Sequence, residues 1–344
     1  MIISSLLLSG AGLLLLFFSD QSLFNRQLIS VVIGIVLFFV FRRIDARMLQ
    51  RVWWIWYALV IVMLALVFLG PEVRGAQRWI ELFGERIQPS ELMKPLFVVS
   101  LAGYVSMRKK FGLKQFILFV LFFIAPFLLV FEEPDLGNAV VYLFTFLSLL
   151  FISQFQLRYY ILPILILLVG IPFTWPHLEN YQKLRILTFI NPTYDIQGAG
   201  YNAYQALIAV GSGGWLGKGL GQGTQSKLAF LPEYHTDFVF AAGIEQVGFI
   251  GGLVLLVLYA YFLFSILNNG SHIGSFPRLV VWGIFAQLLI QIIVNIGMNV
   301  GLIPITGITL PLVSFGGSSI MGIFIGLGII ASVTRQKQEP IAIR

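Results

Sequence analysis

The chain has no cysteine among its 344 residues and only three histidines. The absence of cysteine excludes disulfides, thiolate metal sites and thiol nucleophiles. His177, His235 and His272 stand far apart in the sequence, so a metal centre built from histidines is not expected. The sequence therefore points away from thiol chemistry and from histidine-based metal chemistry.

Charge is also scarce. Only 11% of the residues are charged while 58% are hydrophobic, whereas soluble domains are about 25% charged. A chain with a mean hydropathy of +0.91 has too few polar side chains to cover a water-facing surface. Its apolar stretches are long and continuous rather than alternating, which disfavours a β-barrel. The composition predicts an all-α, polytopic integral membrane protein.

The apolar stretches are long enough to cross a bilayer several times. A transmembrane helix needs roughly 20 mostly apolar residues. The first stretch lacks the charged beginning and the cleavage site of a signal peptide, so we expect it to be a retained helix. About ten transmembrane helices are predicted, near 2–18, 28–41, 53–70, 90–107, 113–131, 137–153, 159–172, 237–266, 279–300 and 313–333.

Lysine and arginine collect in loops on one side of these predicted helices. Basic clusters lie within 42–51 and 108–114, whereas the opposite side has an acidic loop at 132–135 and an uncharged loop at 301–312. The positive-inside rule predicts that both termini are cytoplasmic. The net charge of +7 thus has a topological explanation, and no nucleic-acid partner is expected.

The segment 173–236 is predicted to be a large extracytoplasmic loop between helices 7 and 8, within a single domain over 1–344. Loops of this length usually have a function. Its apolar stretch 204–210 is too short to span, which favours a short interfacial or re-entrant helix. The glycine-rich run 210–223 is typical of a flexible loop, or of a backbone nest that binds an anion. The run 305–319 predicts either helix breaks or an irregular cavity wall.

Ionisable residues at the edges of the predicted spans are candidates for function, because charge is costly there. Glu91 and Lys94 are spaced i and i+3 and can pair. Ser90 is expected to cap this helix, which places Glu91 in its first turn. A structural ion pair and a polar group lining a substrate cavity both remain open.

Asp237 is predicted to begin the eighth span. A carboxylate there can simply cap the helix, but Thr236 is already available for that role. Glu233, His235 and Glu245 place further polar side chains near the same edge. A cap and a functional carboxylate both remain open for Asp237.

Six stretches of the chain form a series of motifs: GAQRWI (75–80), QPSELMK (88–94), EPDLG (133–137), GAGYNAYQALIAVGSGGWLGKG (198–219), GTQSKLAFLPEYHTDFVFA (223–241) and NIGMNVGLIPITGITLPLVSFGGSS (295–319). In this order they resemble the SEDS family (shape, elongation, division and sporulation proteins, including the RodA, FtsW and SpoVE types). GSGGWLGKG and GQGTQS are more similar to the elongation branch, RodA, than to the division branch, FtsW. At Gln246 and Asn138 the chain departs from the usual family residues.

The resemblance implies a ten-helix peptidoglycan glycosyltransferase of the bacterial cytoplasmic (inner) membrane. Such an enzyme polymerises lipid II on the extracytoplasmic side and releases undecaprenyl diphosphate, in cell-wall biogenesis that sets cell shape and supports division. The resemblance also implies a class B penicillin-binding protein as the transpeptidase partner, together with other membrane proteins of the elongation complex. A lipid II flippase is the main alternative, and a non-catalytic scaffold is a third.

The family's essential aspartate corresponds to Asp237, which we expect to act as the general base. The family's cavity pair corresponds to Glu91 and Lys94. A diphosphate leaving group needs cationic stabilisation, expected from Arg78, Lys183, Arg185, Lys218 or Lys227. No cofactor is certain; a divalent cation, Mg or Mn, is an expectation without a dedicated motif. Further residues expected to bind substrate or line its cavity are Gln225, Ser226, Glu233, His235, Thr236 and Ser318.

Overall fold

The computed structural model confirms a polytopic, all-α membrane protein. Among the residues it describes, six helices are long and apolar enough to cross a membrane, and three more are apolar but shorter. The predicted span 159–172 lies outside the described residues except for Tyr159. The structure describes residues 1–72, 77–82, 84–108, 111–153, 155–156, 159, 175–178, 180–191, 195, 198, 200–228, 230–270 and 274–335.

In the first half of the chain, the described residues form eight helices and one small hairpin that the sequence analysis did not predict. In the hairpin, β1 (Ile80–Leu82) pairs antiparallel with β2 (Glu85–Ile87), with Ile80 opposite Ile87. A 3-10 turn, Val67–Leu69, extends the fourth helix. The helices are α1 (Ile2–Ser19), α2 (Gln21–Arg43), α3 (Ala46–Arg51), α4 (Trp53–Leu66), α5 (Pro89–Leu92), α6 (Lys94–Ser106), α7 (Leu113–Glu132) and α8 (Leu136–Ile152).

In the second half, three shorter and three long helices lie within the part of the chain that the structure describes. The short helix expected around 204–210 is present, as α10 below. The span predicted near 237–266 is present as Val239–Asn269. Gly248 interrupts its helix with φ 70° and ψ −174°. After a 3-10 turn, Trp175–His177, the helices are α9 (Asn180–Ile190), α10 (Tyr201–Ser212), α11 (Thr224–Lys227), α12 (Val239–Gly270), α13 (Ser275–Asn299) and α14 (Gly317–Arg335).

The helices sort into an inner and an outer set. Most side chains of α6, α13 and α14 are buried within the protein. The outer helices α1, α2 and α7 expose large apolar side chains, as helices in contact with lipid do. Glycine permits close packing between the sets: a Cβ at Gly34 of α2 would lie 2.6 Å from the Phe324 ring of α14.

The bundle has two chemically different ends. Helices α6 and α8 begin beside one polar end, where Tyr142 of α8 donates to the backbone carbonyl of Ser90 (3.1 Å). Helix α13 runs the opposite way and finishes at that end. At the other end, Ser106, Ser153 and Ser275 line one cavity together with Arg108 and Arg278. We call these the polar end and the basic end.

Candidate functional site

The segment just before α12 is a tight turn that carries Asp237. Its backbone is fixed by α13, because the side-chain amides of Asn295 and Asn299 both donate to the carbonyl of Asp237, at 3.0 and 2.9 Å. Asn299 also accepts from the N–H of Ala241 (3.0 Å). Both asparagines are fully buried. Two amides on one face of a transmembrane helix therefore hold Asp237 in position.

The loop between α13 and α14 lies against the carboxyl group of Asp237. At Gly307, where φ is +77°, an added Cβ would lie 3.5 Å from a carboxyl oxygen of Asp237 and 4.0 Å from Nη1 of Arg185. That Nη1 donates to the carbonyl of Ile305 (3.3 Å). Glycine at 307 lets the backbone approach this closely. The carboxylate of Asp237 and the guanidinium of Arg185 thus both lie next to Gly307.

The surroundings of Asp237 change its acidity. Asp237 is partly buried, and desolvation, with the nearby charge of Glu233, raises the pKa of its carboxyl to about 6. The guanidinium of Arg185 and the hydroxyl of Thr236 oppose this rise. A carboxyl with a pKa close to the working pH is suited to act as a general base.

The residues before Asp237 are tied to the start of α14. The hydroxyl of Thr236 donates to the carboxylate of Glu233 (3.2 Å), and Nε2 of His235 lies 3.9 Å from the same carboxylate. The N–H of Phe315 donates to the carbonyl of His235 (2.8 Å). The hydroxyl of Ser314 donates to the carbonyl of Thr236. These contacts bring Glu233, His235 and Thr236 together with Asp237.

Glu91 and Lys94 form the ion pair that their spacing predicts. Nζ of Lys94 lies 2.6 Å from Glu91, with side-chain exposures of only 2% and 7%. The prediction that Ser90 caps the helix is wrong, since α5 begins at Pro89 with Gln88 as its cap residue. Proline favours the first helical position, where no N–H is needed. Ser318 lies at this site too, accepting from the N–H of Gln88 (2.8 Å).

An acidic turn between α7 and α8 adjoins this pair. Asp135 caps α8 and accepts from Asn138 through the backbone N–H and the side-chain amide (3.0 Å each), and from the amide of Gln88 (2.8 Å). Glu133 is fully buried. Arg78 donates to the backbone carbonyls of Glu133 (3.0 Å) and Pro134.

Burial makes Glu133 a very weak acid. Desolvation and the charge of Asp135 raise the pKa of Glu133 to about 9, against smaller opposing effects of Ser90 and Arg78. Glu133 is therefore protonated at neutral pH. The charge of Asp135 also contributes to the raised pKa of Asp237, so this turn and Asp237 influence each other electrostatically.

A separate cluster forms around Glu245, which is fully buried in α12. Its carboxylate pairs with Lys218 (2.8 Å) and accepts from the N–H and hydroxyl of Thr224 (2.8 Å each) and the N–H of Gln225 (3.1 Å). The contacts of Lys218 and Gln225 thus lie in this cluster. Lys227 is exposed beside it, and the side chain of Ser226 lies outside the described part of the structure.

Among the described residues, no group of three histidine, aspartate or glutamate side chains converges closely enough to hold a metal ion by itself. An ion that also binds the phosphates of a substrate needs only one or two carboxylates from the protein. Lys183 donates to the carbonyl of Pro176 (3.3 Å). The positive charge that acts on Asp237 is that of Arg185.

The sequence analysis missed four residues that shape this site. Asn295 and Asn299 carried a usable signal, because amides spaced i and i+4 within an apolar span are costly unless they have partners. Glu133 and Asp135 were noted in the acidic loop and in the EPDLG motif, but no role in the site was predicted for them. Their burial depends on how α7 and α8 are joined, which spacing alone does not reveal.

Comparisons with known proteins agree with this architecture. The family model described as "Cell cycle protein" (FtsW, RodA and SpoVE) matches residues 1–339. Peptidoglycan glycosyltransferase MrdB of Escherichia coli K12 is 35% identical over 325 residues, covering 91% of this chain and 86% of the relative. Stage V sporulation protein E of Bacillus subtilis 168 is 34% identical over 363 residues, covering 97% and 96%.

Two solved structures are also similar. One chain from a peptidoglycan synthase complex that coordinates polymerization and crosslinking has a TM-score of 0.83 and 29% identity, with 98% of both chains covered. Rod shape determining protein RodA of Thermus thermophilus has a TM-score of 0.74 and 27% identity, covering 98% of this chain and 97% of RodA. The chain therefore belongs to the FtsW/RodA/SpoVE family, as its motifs predicted.

Proposed function

We propose that this protein is a peptidoglycan glycosyltransferase that polymerises lipid II into glycan strands during cell-wall elongation. One observation carries the proposal: the carboxyl of Asp237, with a pKa of about 6, and the guanidinium of Arg185 both lie next to Gly307, and the charge of Arg185 acts on the carboxyl. It does so in a chain similar over most of its length to proteins named peptidoglycan glycosyltransferase. A base next to a cation is what glycosyl transfer from a diphosphate donor requires.

Asp237 is the general base in the proposed reaction. Its carboxylate takes the proton from the 4-hydroxyl of the acceptor N-acetylglucosamine. The oxygen of that hydroxyl attacks the anomeric carbon of the donor N-acetylmuramic acid, and the bond from this carbon to the diphosphate breaks with inversion. Undecaprenyl diphosphate leaves, and the proton remains on the carboxyl. A base positioned in this way contributes roughly 10²–10⁴-fold to the rate.

Arg185 is the principal stabiliser of the departing diphosphate in this proposal. A diphosphate gains negative charge as it leaves and needs a cation more than a proton. Lys94 and Lys218 are already paired with buried carboxylates, Glu91 and Glu245. Their charges are thus balanced before any substrate binds. Arg78, Lys183 and Lys227 remain as secondary cationic contacts.

The proposed orientation places the polar end outside the cytoplasmic (inner) membrane and both termini inside. The distribution of basic residues supports it, because Arg108 and Arg278 lie at the end opposite Asp237 and basic loops favour the cytoplasm. In that orientation Asp237 lies on the extracytoplasmic side, where the sugars of lipid II would bind. The lipid tail would lie against the apolar outer helices.

A class B penicillin-binding protein is the proposed partner. The support is the similarity to a chain of a peptidoglycan synthase complex that coordinates polymerization and crosslinking. A transpeptidase next to the polymerase would crosslink strands as they form. Other elongation-complex membrane proteins are proposed as further partners.

The function is tested with the purified protein and a class B penicillin-binding protein whose transpeptidase is blocked. The mixture is incubated with lipid II, and the glycan products are separated by size. We expect polymer only when this protein is present. Absence of polymer from folded, partnered protein would contradict the proposal, and lipid II translocation in liposomes would then test the flippase alternative.

A further inference from the structure

A cavity of about 100 Å³ opens at the basic end of the bundle. It lies where α6 and α8 finish and α13 begins. A helix rises about 1.5 Å per residue, so Ser275 is roughly 30 Å along α13 from Asn295, which holds Asp237. The cavity therefore lies on the opposite side of the membrane from Asp237. The proposed glycosyl transfer does not use it.

Two guanidinium groups line this cavity without a carboxylate partner. In the described part of the chain, neither Arg108 nor Arg278 forms a salt bridge. Arg108 lies over the ring of Tyr104, 4.5 Å from its centroid, which orients its side chain. Unpaired arginines that converge on one cavity attract an anion, and guanidinium groups suit phosphate oxygens.

The beginning of α13 adds further donors on the same side. Its cap residue, Gly274, provides no side-chain cap, and a helix N-terminus favours an anion. Ser275 contributes a hydroxyl to the lining. The hydroxyls of Ser106 and Ser153 already donate to backbone carbonyls within their own helices. Arg278 and Ser275 therefore remain to donate to a ligand, and Arg108, oriented by Tyr104, adds a second positive charge to the lining.

The remainder of the lining is apolar. Phe111, Ile152 and Leu279 contribute to it, and Phe151 beside them is 79% exposed. A free phosphate ion makes no use of apolar walls, whereas a phospholipid carries its phosphate on a glycerol with acyl chains. We propose that this cavity binds the phosphate headgroup of an anionic phospholipid, with its acyl chains running along the ends of α8 and α13.

The proposal is tested by titrating the detergent-solubilised protein with dioctanoyl phosphatidylglycerol, dioctanoyl phosphatidylcholine and inorganic phosphate, by calorimetry. We expect saturable binding of phosphatidylglycerol. The double variant Arg108→Gln/Arg278→Gln should weaken it by about tenfold or more, since each basic side chain near an anionic headgroup contributes to affinity. The matched control Arg42→Gln/Arg43→Gln removes the same charge from the same end and should change affinity less than about twofold.

Three results would overturn the proposal. Equal losses in both double variants would mean that only the overall charge matters. Equal binding of the two lipids would exclude recognition of an anionic headgroup, and inorganic phosphate binding as tightly as phosphatidylglycerol would indicate a free-phosphate site. If the double variant unfolds at a lower temperature without lipid, the single variant Arg278→Gln decides by the same criteria. The assay does not involve lipid II and is independent of the proposed polymerase activity.

Discussion

Asp237 owes its proposed role to its neighbours. Desolvation and the charge of Glu233 raise the pKa of its carboxyl, Arg185 lowers it, and the resulting pKa is about 6. An isolated surface aspartate, with a pKa near 4, would be a weaker base. The position of Asp237 before a transmembrane helix could be predicted from the sequence. Its pKa could not, because it depends on Arg185, 52 positions earlier in the chain, and on the loop at Gly307.

The first prediction concerns pH. Polymerisation should fall as the pH drops below about 6, because protonated Asp237 cannot accept the acceptor's proton. Initial rates measured between pH 5 and 8 give the inflection. In Glu233→Gln the inflection should move to lower pH, since a negative charge that raises the pKa is removed. A profile that is the same in wild type and Glu233→Gln would contradict the assignment.

The second prediction concerns Glu133. With a folded-state pKa of about 9, the native protein holds a proton that the unfolded chain releases above about pH 4.5. The contribution of this proton to the free energy of unfolding is fully present below pH 4.5 and is lost as the pH rises towards 9. The thermal unfolding temperature of Glu133→Gln should therefore fall less between pH 5.5 and 9 than that of wild type.

The control for Glu133 is Glu85→Gln, which removes an exposed carboxylate paired with Arg26 at the protein surface. It should leave the pH dependence of unfolding unchanged. Because Glu133 is already neutral near pH 7, Glu133→Gln should also retain polymerase activity. Identical slopes for wild type and Glu133→Gln would show that Glu133 is ionised in the folded protein.

Among the structural elements, α12 is distinguished by its interruption at Gly248. The N–H groups of Phe249 and Ile250 donate to the carbonyls of Gly214 and Trp215, at 2.9 and 3.2 Å. A glycine-rich loop thus docks onto the break, and the Glu245 cluster holds the following residues in place. The glycines of this loop are used for close backbone packing rather than for mobility.

The third prediction compares two glycines. At Gly248, where φ is +70°, a Cβ would lie 2.3 Å from the backbone nitrogen of Gly217, whereas at Gly211 no atom lies within 4 Å. Gly248→Ala should destabilise by about 2 kcal/mol or more, from backbone strain and overlap. Gly211→Ala, in α10, should be neutral or stabilise by up to about 1 kcal/mol. Denaturation in one detergent measures both, and equal effects would contradict the packing described.

Most helices were predictable because a long apolar window identifies a span without any knowledge of its neighbours. The ends of helices, the short strands and the breaks within helices were harder to predict. Ser90 was expected to cap α5, but the helix begins one residue earlier, at Pro89, because proline favours the first helical position. The hairpin at 80–87 was missed because strands of three residues carry too little pattern. The break at Gly248 depends on a loop more than 30 residues earlier in the chain.

At the scale of the whole molecule, the orientation of the bundle could be predicted from the sequence, but the contacts between distant helices could not. The asymmetry of basic loops is a local property and was predictable. The pairings of Lys218 with Glu245 and of Arg78 with the Glu133 carbonyl join residues 27 and 55 positions apart. They follow from which helices lie side by side, and spacing along one chain does not specify that arrangement.

The most direct test of the account is lipid II polymerisation by wild type beside Asp237→Asn, which keeps the shape of the side chain but removes its basicity. The matched control is Glu81→Gln, which changes an exposed carboxylate. Equal unfolding temperatures of wild type, Asp237→Asn and Glu81→Gln would establish that all three proteins are folded. We predict polymer from wild type and Glu81→Gln and, from Asp237→Asn, a rate lower by roughly 10²-fold or more. Polymer formed by Asp237→Asn at the wild-type rate would contradict the assignment of Asp237 as the general base.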